Sequence, residues 1–525
     1  MTVTAKYKTG RRRPDILDRG FLYQVLVGHD GVLAPGWLSL WPMLESAAMK
    51  PRRFELAVLL LFSVIIGYQL FVPPLLGMAD NGDFARLFRQ SGLLAMPAEY
   101  DGKFFRYFNS RYVIVARPGP GGYKSSSVLP VRAARWFNIH FIDNQVFDVR
   151  VLGALHLAAF LFGVYLILMS SRKLPMRWRI PLAALLLLMF TDPVYAAYFN
   201  SFYSEATGLV CLVMIAGCSV VLIAGESRRA ILLVGYFIAV AILVTAKPMY
   251  TPFALIFGPL GVYLSKLISL KHRYWLSGIL ACALLPLAAA YYIQTPNWLR
   301  QNVNYIAIFT VLLKDSPTAE QDLRDLELDP EWIRYAGTTP YQKDSPASND
   351  AGFRAEFTDR VGTLTVPKFL LTHPARFYSV ASQAARKSLT TRSPYGYYEA
   401  SSGKPPYAKP RAPWSDARSW LFPASIWLLV VYFSTGAVAL GLGILRKLSD
   451  IQRGLLLLYS VLVAFGAIGF FVPVLTMASI EDRYSTTFAS AFDMSVLLVI
   501  GGLLGCRWKR SQLAAPQPEP LSPSP

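Results

Sequence analysis

Charge is scarce in this chain. Only 16% of its 525 residues are Asp, Glu, Lys or Arg, while 54% are hydrophobic. A soluble enzyme with ordinary surfaces carries about a quarter charged residues, so that class is excluded. Acidic residues are scarcer than basic ones, 32 against 52, for a formal charge of +20. In a soluble protein such an excess would raise nucleic acid as a partner. Here the basic residues fall between apolar runs, where cytoplasmic retention of cationic loops and attraction to anionic lipid account for them. The partner expected on this ground is membrane lipid, with no nucleic acid. Cysteine is nearly absent: Cys211, Cys218 and Cys282 lie inside apolar runs and Cys506 at the end of one. Neither a disulfide framework nor a metal-ligand spacing follows. The first 50 residues do not read as a signal peptide, because Arg11, Arg12 and Arg13 precede mixed polar sequence and not a short apolar core with a cleavage site.

What the chain does have is a series of nearly uncharged windows of about 18 residues, which predict an all-α polytopic membrane protein. About ten transmembrane helices are expected. The first seven lie near 54–75, 149–170, Ile180 to an interruption at Asp192-Pro193, 206–225, 230–246, 251–269 and 275–293. The last three lie near 421–445, 454–477 and 487–505. The domains follow: a cytoplasmic tail 1–53, a membrane domain 54–293 with an outer loop 76–148, an extracytoplasmic region 294–420, further spans over 421–506, and a disordered cytoplasmic tail 507–525. Every short loop assigned to the inside carries at least two basic residues, whereas the short outer loops carry one each, Lys247 and Arg483. That asymmetry was not used to draw the spans and agrees with the positive-inside rule, so both termini are expected in the cytoplasm of a multi-pass inner (plasma) membrane protein.

The 294–420 region is more than a linker. Tyr305 to Leu313 is apolar and helix-like, and Leu323, Leu326, Leu328 and Trp332 continue an amphipathic pattern. Val366 to Tyr378 reads as a helix lying along the interface with Arg376 reaching out. Residues 392–417 read as irregular loop. The expectation is a largely helical extracytoplasmic insertion between spans seven and eight.

The most informative short stretch is Asp80-Asn81-Gly82-Asp83-Phe84, just past the first span. Asn81-Gly82 is a turn signal, so two carboxylates are carried at the membrane surface. The expected topology brings Asp192, Glu205, Lys247, Glu481 and Arg483 to the same surface. A carboxylate there can act as a general base or hold a divalent metal, and a cation can neutralise a leaving phosphate. Tyr195, Tyr198, Phe199, Phe202, Tyr203, Tyr250 and Tyr484 crowd the same level, as an aromatic belt or as rings that stack on a sugar. Each residue has a plainer reading as well. Asp83 would cap a helix starting at Phe84, Asp80 would support the turn, Glu205 would dock span four, and Asp192 before Pro193 would start a turn. Lys247 would snorkel, and Arg483 would pair with Glu481 or Asp482. His156 and His373 read as packed and surface-helix histidines.

An acidic residue in the first outer loop of such an architecture resembles the GT-C superfamily of membrane glycosyltransferases. Within it, Tyr198-Phe199-Asn200-Ser201-Phe202-Tyr203-Ser204-Glu205, and Leu313-Lys314-Asp315-Ser316-Pro317 through Leu328-Asp329-Pro330 to Ala336-Gly337-Thr338, are similar to a bacterial group of glycan-biosynthesis hexosyltransferases. The resemblance implies an inverting enzyme that moves a hexose from a polyprenyl-phosphate carrier to a glycan or lipid acceptor of the cell envelope, with its active site extracytoplasmic. It implies an acidic catalytic residue in the first outer loop; with the residues gathered at that surface, Asp83, Asp80 and Glu205 are the catalytic candidates, and Lys247, Arg483, Asn200, Tyr203 and Asp192 the substrate-binding ones. Asp80 and Asp83 are the residues that would hold a divalent cation, Mg or Mn. The loop departs from the family in lacking adjacent acidic residues, which leaves the base open between Asp80 and Asp83. The competing class is a transporter or flippase for a lipid-linked glycan, for which inverted repeats and mid-membrane polar groups are the usual signs; this sequence shows no repeat and places its charges at the outer edge.

Overall fold

The computed structural model describes residues 51–96, 104–120, 122–225, 230–268, 273–314, 316–342, 345–389, 392–479 and 483–514, without the side chains of Pro51, Arg273 and 506–514. Most of the tail expected over 1–53, the Pro/Ser-rich end of the tail over 507–525, and Arg228, Arg229, Lys271, Asp315, Glu481 and Asp482 lie outside the described residues. The chain divides into two units, Met1–Phe54 and Glu55–Pro525. Of the first, only residues 51–54 are described, as the opening turn of a helix; the second contains every other element.

Each of the ten expected spans has a helix: α1 Pro51–Phe71, α2 Val149–Ser170, α3 Met176–Phe190, α4 Ser204–Ala224, α5 Ala230–Val244, α6 Ala254–Ser265, α7 Arg273–Ile293, α8 Ile426–Leu445, α9 Asp450–Met477 and α10 Ser485–Ala514. Among the described residues, seven of them (α1, α2, α4, α7, α8, α9 and α10) are long and apolar enough to cross a bilayer. The chain is a multi-pass membrane protein. At ~1.5 Å per residue, α3, α5 and α6 reach only ~18–22 Å of a ~30 Å hydrocarbon core. α1 ends at Phe71 and not near residue 75, because Pro73 and Pro74 offer no N–H to continue the ladder.

α4 is the central helix, 89% of its apolar window being buried, with α2, α5, α9 and α10 against it. Small residues bring α2 and α4 together. A side chain on Gly217 would stand 2.8 Å from the Gly163 carbonyl oxygen, so the two backbones meet closely, which is how helices pack where lipid supplies no hydrophobic drive.

The connections sort into two ends. The segments after α1, α3, α5, α7 and α9 meet one another. Asp83 pairs with Arg483, Ser125 Oγ donates to the Ala246 carbonyl at 2.7 Å, Thr486 donates to Tyr198 at 3.1 Å, and Asn81 donates to Tyr395 at 3.1 Å. At the opposite end Glu55 pairs with Arg172 and, at 3.1 Å, with Arg179, Lys173 donates to the Ala224 carbonyl, and Tyr263 donates to that of Asp450. The contacts of Asp83, Ser125, Thr486 and Asn81 gather the segments after α1, α3, α5, α7 and α9 at one end of the described helices.

The stretch 76–148, expected as polar loop, is more ordered than that. It contributes a three-stranded antiparallel sheet, β1 Leu93–Ala95, β2 Arg111–Ile114 and β3 Val146–Asp148, in the order β1-β2-β3, with a helix over Val128–Phe141. The chain is mostly helical, as expected, and this small sheet is an addition to the all-α expectation. Its strands are three or four residues long, too short for an alternation to show in sequence. Tyr112 and Phe147 lie across from each other and both touch Phe202, which fixes the chain just ahead of α4.

The insertion between α7 and α8 is largely helical. Tyr305, Phe309, Trp332, Phe353 and Phe357 form its aromatic core. The helix expected over Val366–Tyr378 is two, Thr365–Thr372 and Pro374–Lys387, parted at His373 because a residue before proline resists the helical conformation. Arg376 does not reach out; it donates to the Leu312 carbonyl and the Asp322 carboxylate at 2.7 and 2.6 Å. The end of the expected loop 392–417 runs into a helix over Pro413–Leu421. Residues 396–398 are zipped by backbone hydrogen bonds between Gly77–Ala79 and Phe105–Phe108. A Cβ on Gly396 would fall 1.9 Å from the Arg106 carbonyl oxygen, so this strap requires glycine.

Candidate active site

The turn after α1 separates the two aspartates into different jobs. Asp80 is buried, and its Oδ1 accepts the backbone N–H groups of Gly82 and Phe84 at 2.7 and 3.1 Å. Gly82 has φ +100°, a conformation that costs glycine little. Asp80 thus closes the turn ahead of the helix, and the first helical turn, Ala85–Phe88, receives no side-chain cap, from Asp83 or any other described residue. Asn81 holds the turn to the bundle: its N–H donates to the Tyr203 hydroxyl, and its amide donates to Tyr395, both at 3.1 Å. Tyr203 in turn donates to the Ala79 carbonyl at 2.9 Å, with Phe84 packed on its ring.

Asp83 is left facing cations. Its Oδ1 lies 2.7 Å from Arg86 and its Oδ2 2.5 Å from Arg483. Burial acts first to raise the carboxyl, but Arg483, Arg86 and Lys247 outweigh it and hold Asp83 below the ordinary carboxylate range. Glu205 sits in the first turn of α4 and is buried. Its Oε1 is 2.8 Å from Nζ of Lys247, which follows α5. Lys247 Nζ also stands 3.8 Å above the ring of Tyr484, whose hydroxyl accepts from Arg483 at 3.0 Å. Burial lowers Lys247 to about 8, against the opposing pull of Glu205. Four connections converge here, and among the described residues the cluster has two carboxylates and three cations: one positive charge is in surplus.

The other candidates do different work. Asn200 is buried and donates to the carbonyls of Leu70 and Leu76 at 3.0 and 2.8 Å, tying the end of α1 to the segment before α4. Asp192 caps the short helix Pro193–Ala196 through Val194 N–H and accepts from Ser415 N–H at 2.9 Å. Burial raises its carboxyl, and those hydrogen bonds oppose the rise. His156 meets the Phe199 carbonyl, and His373 meets Asp325.

A divalent cation does not fit the pair proposed to hold it. Both oxygens of Asp83 are on guanidinium groups, and Asp80 Oδ1 takes two backbone N–H groups. Among the described residues no three of His, Cys, Asp and Glu are grouped as metal ligands.

Two features escaped the sequence reading. Arg86 was overlooked, although its spacing of three from Asp83 placed both on one helical face. Asp493, a lone carboxylate within the last apolar run, was overlooked as well, although such a residue always needs a partner. It accepts from Arg418 at 2.6 Å, Tyr195 at 2.7 Å and Trp414 at 2.9 Å, all buried, and together with Asp192 and Ser415 it fastens the helix Pro413–Leu421 to the bundle.

Fold and site together define a multi-pass helical membrane protein with a charged cluster at one end of its bundle. Residues 44–514 match the model of the YfdI N-terminal transmembrane domain, and the chain belongs to that family. Among solved structures it is similar to the archaeal oligosaccharyltransferase AglB from Archaeoglobus fulgidus, solved with an inhibitory peptide and a dolichol-phosphate. The alignment has 12% identity and a TM-score of 0.37, covering 90% of this chain and 53% of that one. The chain thus spans about half the length of that enzyme. No curated protein sequence matches it.

Proposed function

We propose that the protein is an inverting membrane glycosyltransferase of the GT-C type, moving a hexose from a polyprenyl-phosphate carrier to a cell-envelope glycan or lipid acceptor at the outer face of the inner membrane. The observation that carries the reading is the convergence of Asp83, Arg86, Arg483, Glu205 and Lys247 from four connections at one end of the bundle. The basic connections at the other end, with Arg172, Lys173 and Arg179, would face the cytoplasm.

In this mechanism the acceptor hydroxyl oxygen attacks the anomeric carbon. The bond from that carbon to the phosphate oxygen breaks with its electron pair, and the lipid phosphate leaves toward Lys247 and Arg483. The hydroxyl proton passes to Asp83. Such general-base help contributes roughly 10²–10⁴-fold. In the resting arrangement Arg483 and Arg86 keep Asp83 ionised but weakly basic. An arriving phosphate competes for Arg483 and raises the basicity of Asp83 as the donor binds. Tyr203 and Asn81 set the turn, and Tyr484 holds the two cations on one ring. The test is to supply donor of one anomeric configuration and determine the linkage made: the opposite configuration is expected, and a retained one would overturn the inverting mechanism.

Lys247 supplies a pH signature. Its ammonium is present below about 8 and lost as pH rises through that value. The donor kcat/KM, which reports the free enzyme, should therefore fall above about pH 8, while its acid limb lies below the ordinary carboxylate range because Asp83 is held low. Lys247→Arg should flatten the alkaline limb at a lower plateau, since guanidinium and ammonium differ in geometry, and Lys247→Ala should weaken donor use at every pH. An alkaline limb unchanged in Lys247→Arg would remove Lys247 from phosphate contact.

A further inference from the structure

Beside the charged cluster, and separate from it, a cleft of about 520 Å³ opens between the first connection and the end of α7. It is lined by Gln90, Gly119, Tyr123, Lys124, Arg132 and Gln294. That volume is within the range of small-ligand sites, roughly 300–1,000 Å³. Two of these residues are cations, and no carboxylate is among the described lining residues. Lys124 and Arg132 are both exposed, and neither is paired with a carboxylate among the described residues. Among the described residues the cleft therefore presents positive charge without a counter-charge, which is the electrostatic form of an anion site.

Its walls show where the anion comes from. Arg132 lies on the helix Val128–Phe141, which turns Val128, Val131, Ala134 and Asn138 inward. Leu129, Trp136, Phe137 and Phe141 on that helix are exposed, and Leu129, Arg132 and Trp136 share one face by their spacing. Exposed leucine, tryptophan and phenylalanine beside arginine are what a helix offers to a bilayer interface. On the other side Gln294 follows α7 directly, and the neighbouring Ile293 and Trp298 are exposed too. The cleft is thus flanked by two apolar surfaces at the level where the spans end.

It also borders the reactive cluster. Gln90 Nε2 donates to the carbonyls of Arg86 and Tyr123, at 2.5 and 2.6 Å. The Tyr123 side chain lies within the electrostatic reach of Arg86, Asp83, Glu205 and Arg483.

We infer that this cleft binds the phosphate of a membrane lipid, received sideways from the bilayer between the Val128–Phe141 helix and the end of α7. The shared chemistry is a phosphate on an apolar tail. It has two sources, the carrier lipid and the anionic phospholipid of the surrounding leaflet. The inference stands on charge and placement, and its test reads binding without turnover, so it does not depend on the transferase reading.

The experiment places the full-length protein in phosphatidylcholine nanodiscs doped with either polyprenyl phosphate or phosphatidylglycerol. Lipid retained on the protein after transfer to detergent is then measured by native mass spectrometry. Each charge near a lipid phosphate is expected to change affinity about fivefold. Lys124→Gln with Arg132→Gln should therefore lower retention by roughly 25-fold, and Lys124→Arg with Arg132→Lys should restore most of it. Lys409→Gln, which removes an exposed cation outside both the cleft and the charged cluster, should leave retention unchanged. The lipid whose retention falls identifies the source. Both lipids retained equally by wild type and the double Gln variant would overturn the inference, as would loss in Arg483→Gln alone, which would put the lipid at the Asp83 cluster. Both positions substituted in the charge-swap and double Gln variants are exposed, and unchanged thermal melting verifies that they fold.

Discussion

Asp83→Asn is expected to express and insert normally and to lose turnover by roughly 10²-fold or more. The fold should survive because the turn rests on Asp80, whose Oδ1 accepts the Gly82 and Phe84 N–H groups. Asparagine at 83 cannot take a proton from the acceptor hydroxyl. It also returns Arg86 and Arg483 to the cluster with less negative charge against them, so affinity for an anionic donor should not weaken. The signature is a fall in kcat with KM for the donor unchanged or lower. Asp80→Asn keeps an acceptor oxygen at the same place and should cost little, whereas Asp80→Ala should disorder the turn. Steady-state kinetics on the three purified variants decide the matter. An inactive Asp80→Asn beside an active Asp83→Asn would move the base to Asp80.

The second large effect is on stability. Arg418 and Asp493 are fully buried and 2.6 Å apart. Asp493→Asn leaves a buried guanidinium without its counter-charge, and Arg418→Met leaves a buried carboxylate without its own. Breaking such a pair from one side costs about 3–5 kcal/mol. Either single variant should show a much lower apparent melting temperature in detergent. The double variant removes both charges and keeps an amide oxygen for Tyr195 and Trp414, so it should melt above both singles; strict additivity of the two losses would show that the residues are not coupled. Because this pair fastens the helix Pro413–Leu421 to α10, the insertion should become protease-sensitive in the singles.

The long apolar runs made the helices legible, seven of those described being long and apolar enough to cross a bilayer, since a membrane-crossing helix must satisfy its backbone internally and carry apolar side chains over most of its length. The meeting of these connections at one end was legible too, because alternating connections of consecutive spans are expected on opposite sides. Lys247 beside Glu205 and Asp83 beside Arg483 are consequences of that alternation. What stayed hidden depends on partners far apart in sequence. Nothing near Asn81 points to Tyr395, 314 residues away. The division of work between Asp80 and Asp83 rests on which carboxylate oxygen reaches two backbone N–H groups in one turn. Asp192 and Asn200 carried the right polarity at the right surface, but their hydrogen bonds hold helices together: Asn200 ties down the end of α1, and Asp192 holds Ser415. The short sheet of the first connection gave no periodic signal, because three residues cannot establish one.

The central claim is that this end of the bundle transfers sugar from a lipid phosphate. It is tested most directly by incubating the purified protein with radiolabelled polyprenyl-phosphate hexose and a cell-envelope acceptor fraction, and following the label. The expected result is label moved to the acceptor by wild-type protein and left on the carrier by Asp83→Asn. Label that stays on the lipid with wild-type protein, or crosses the bilayer still attached to it, would contradict the claim.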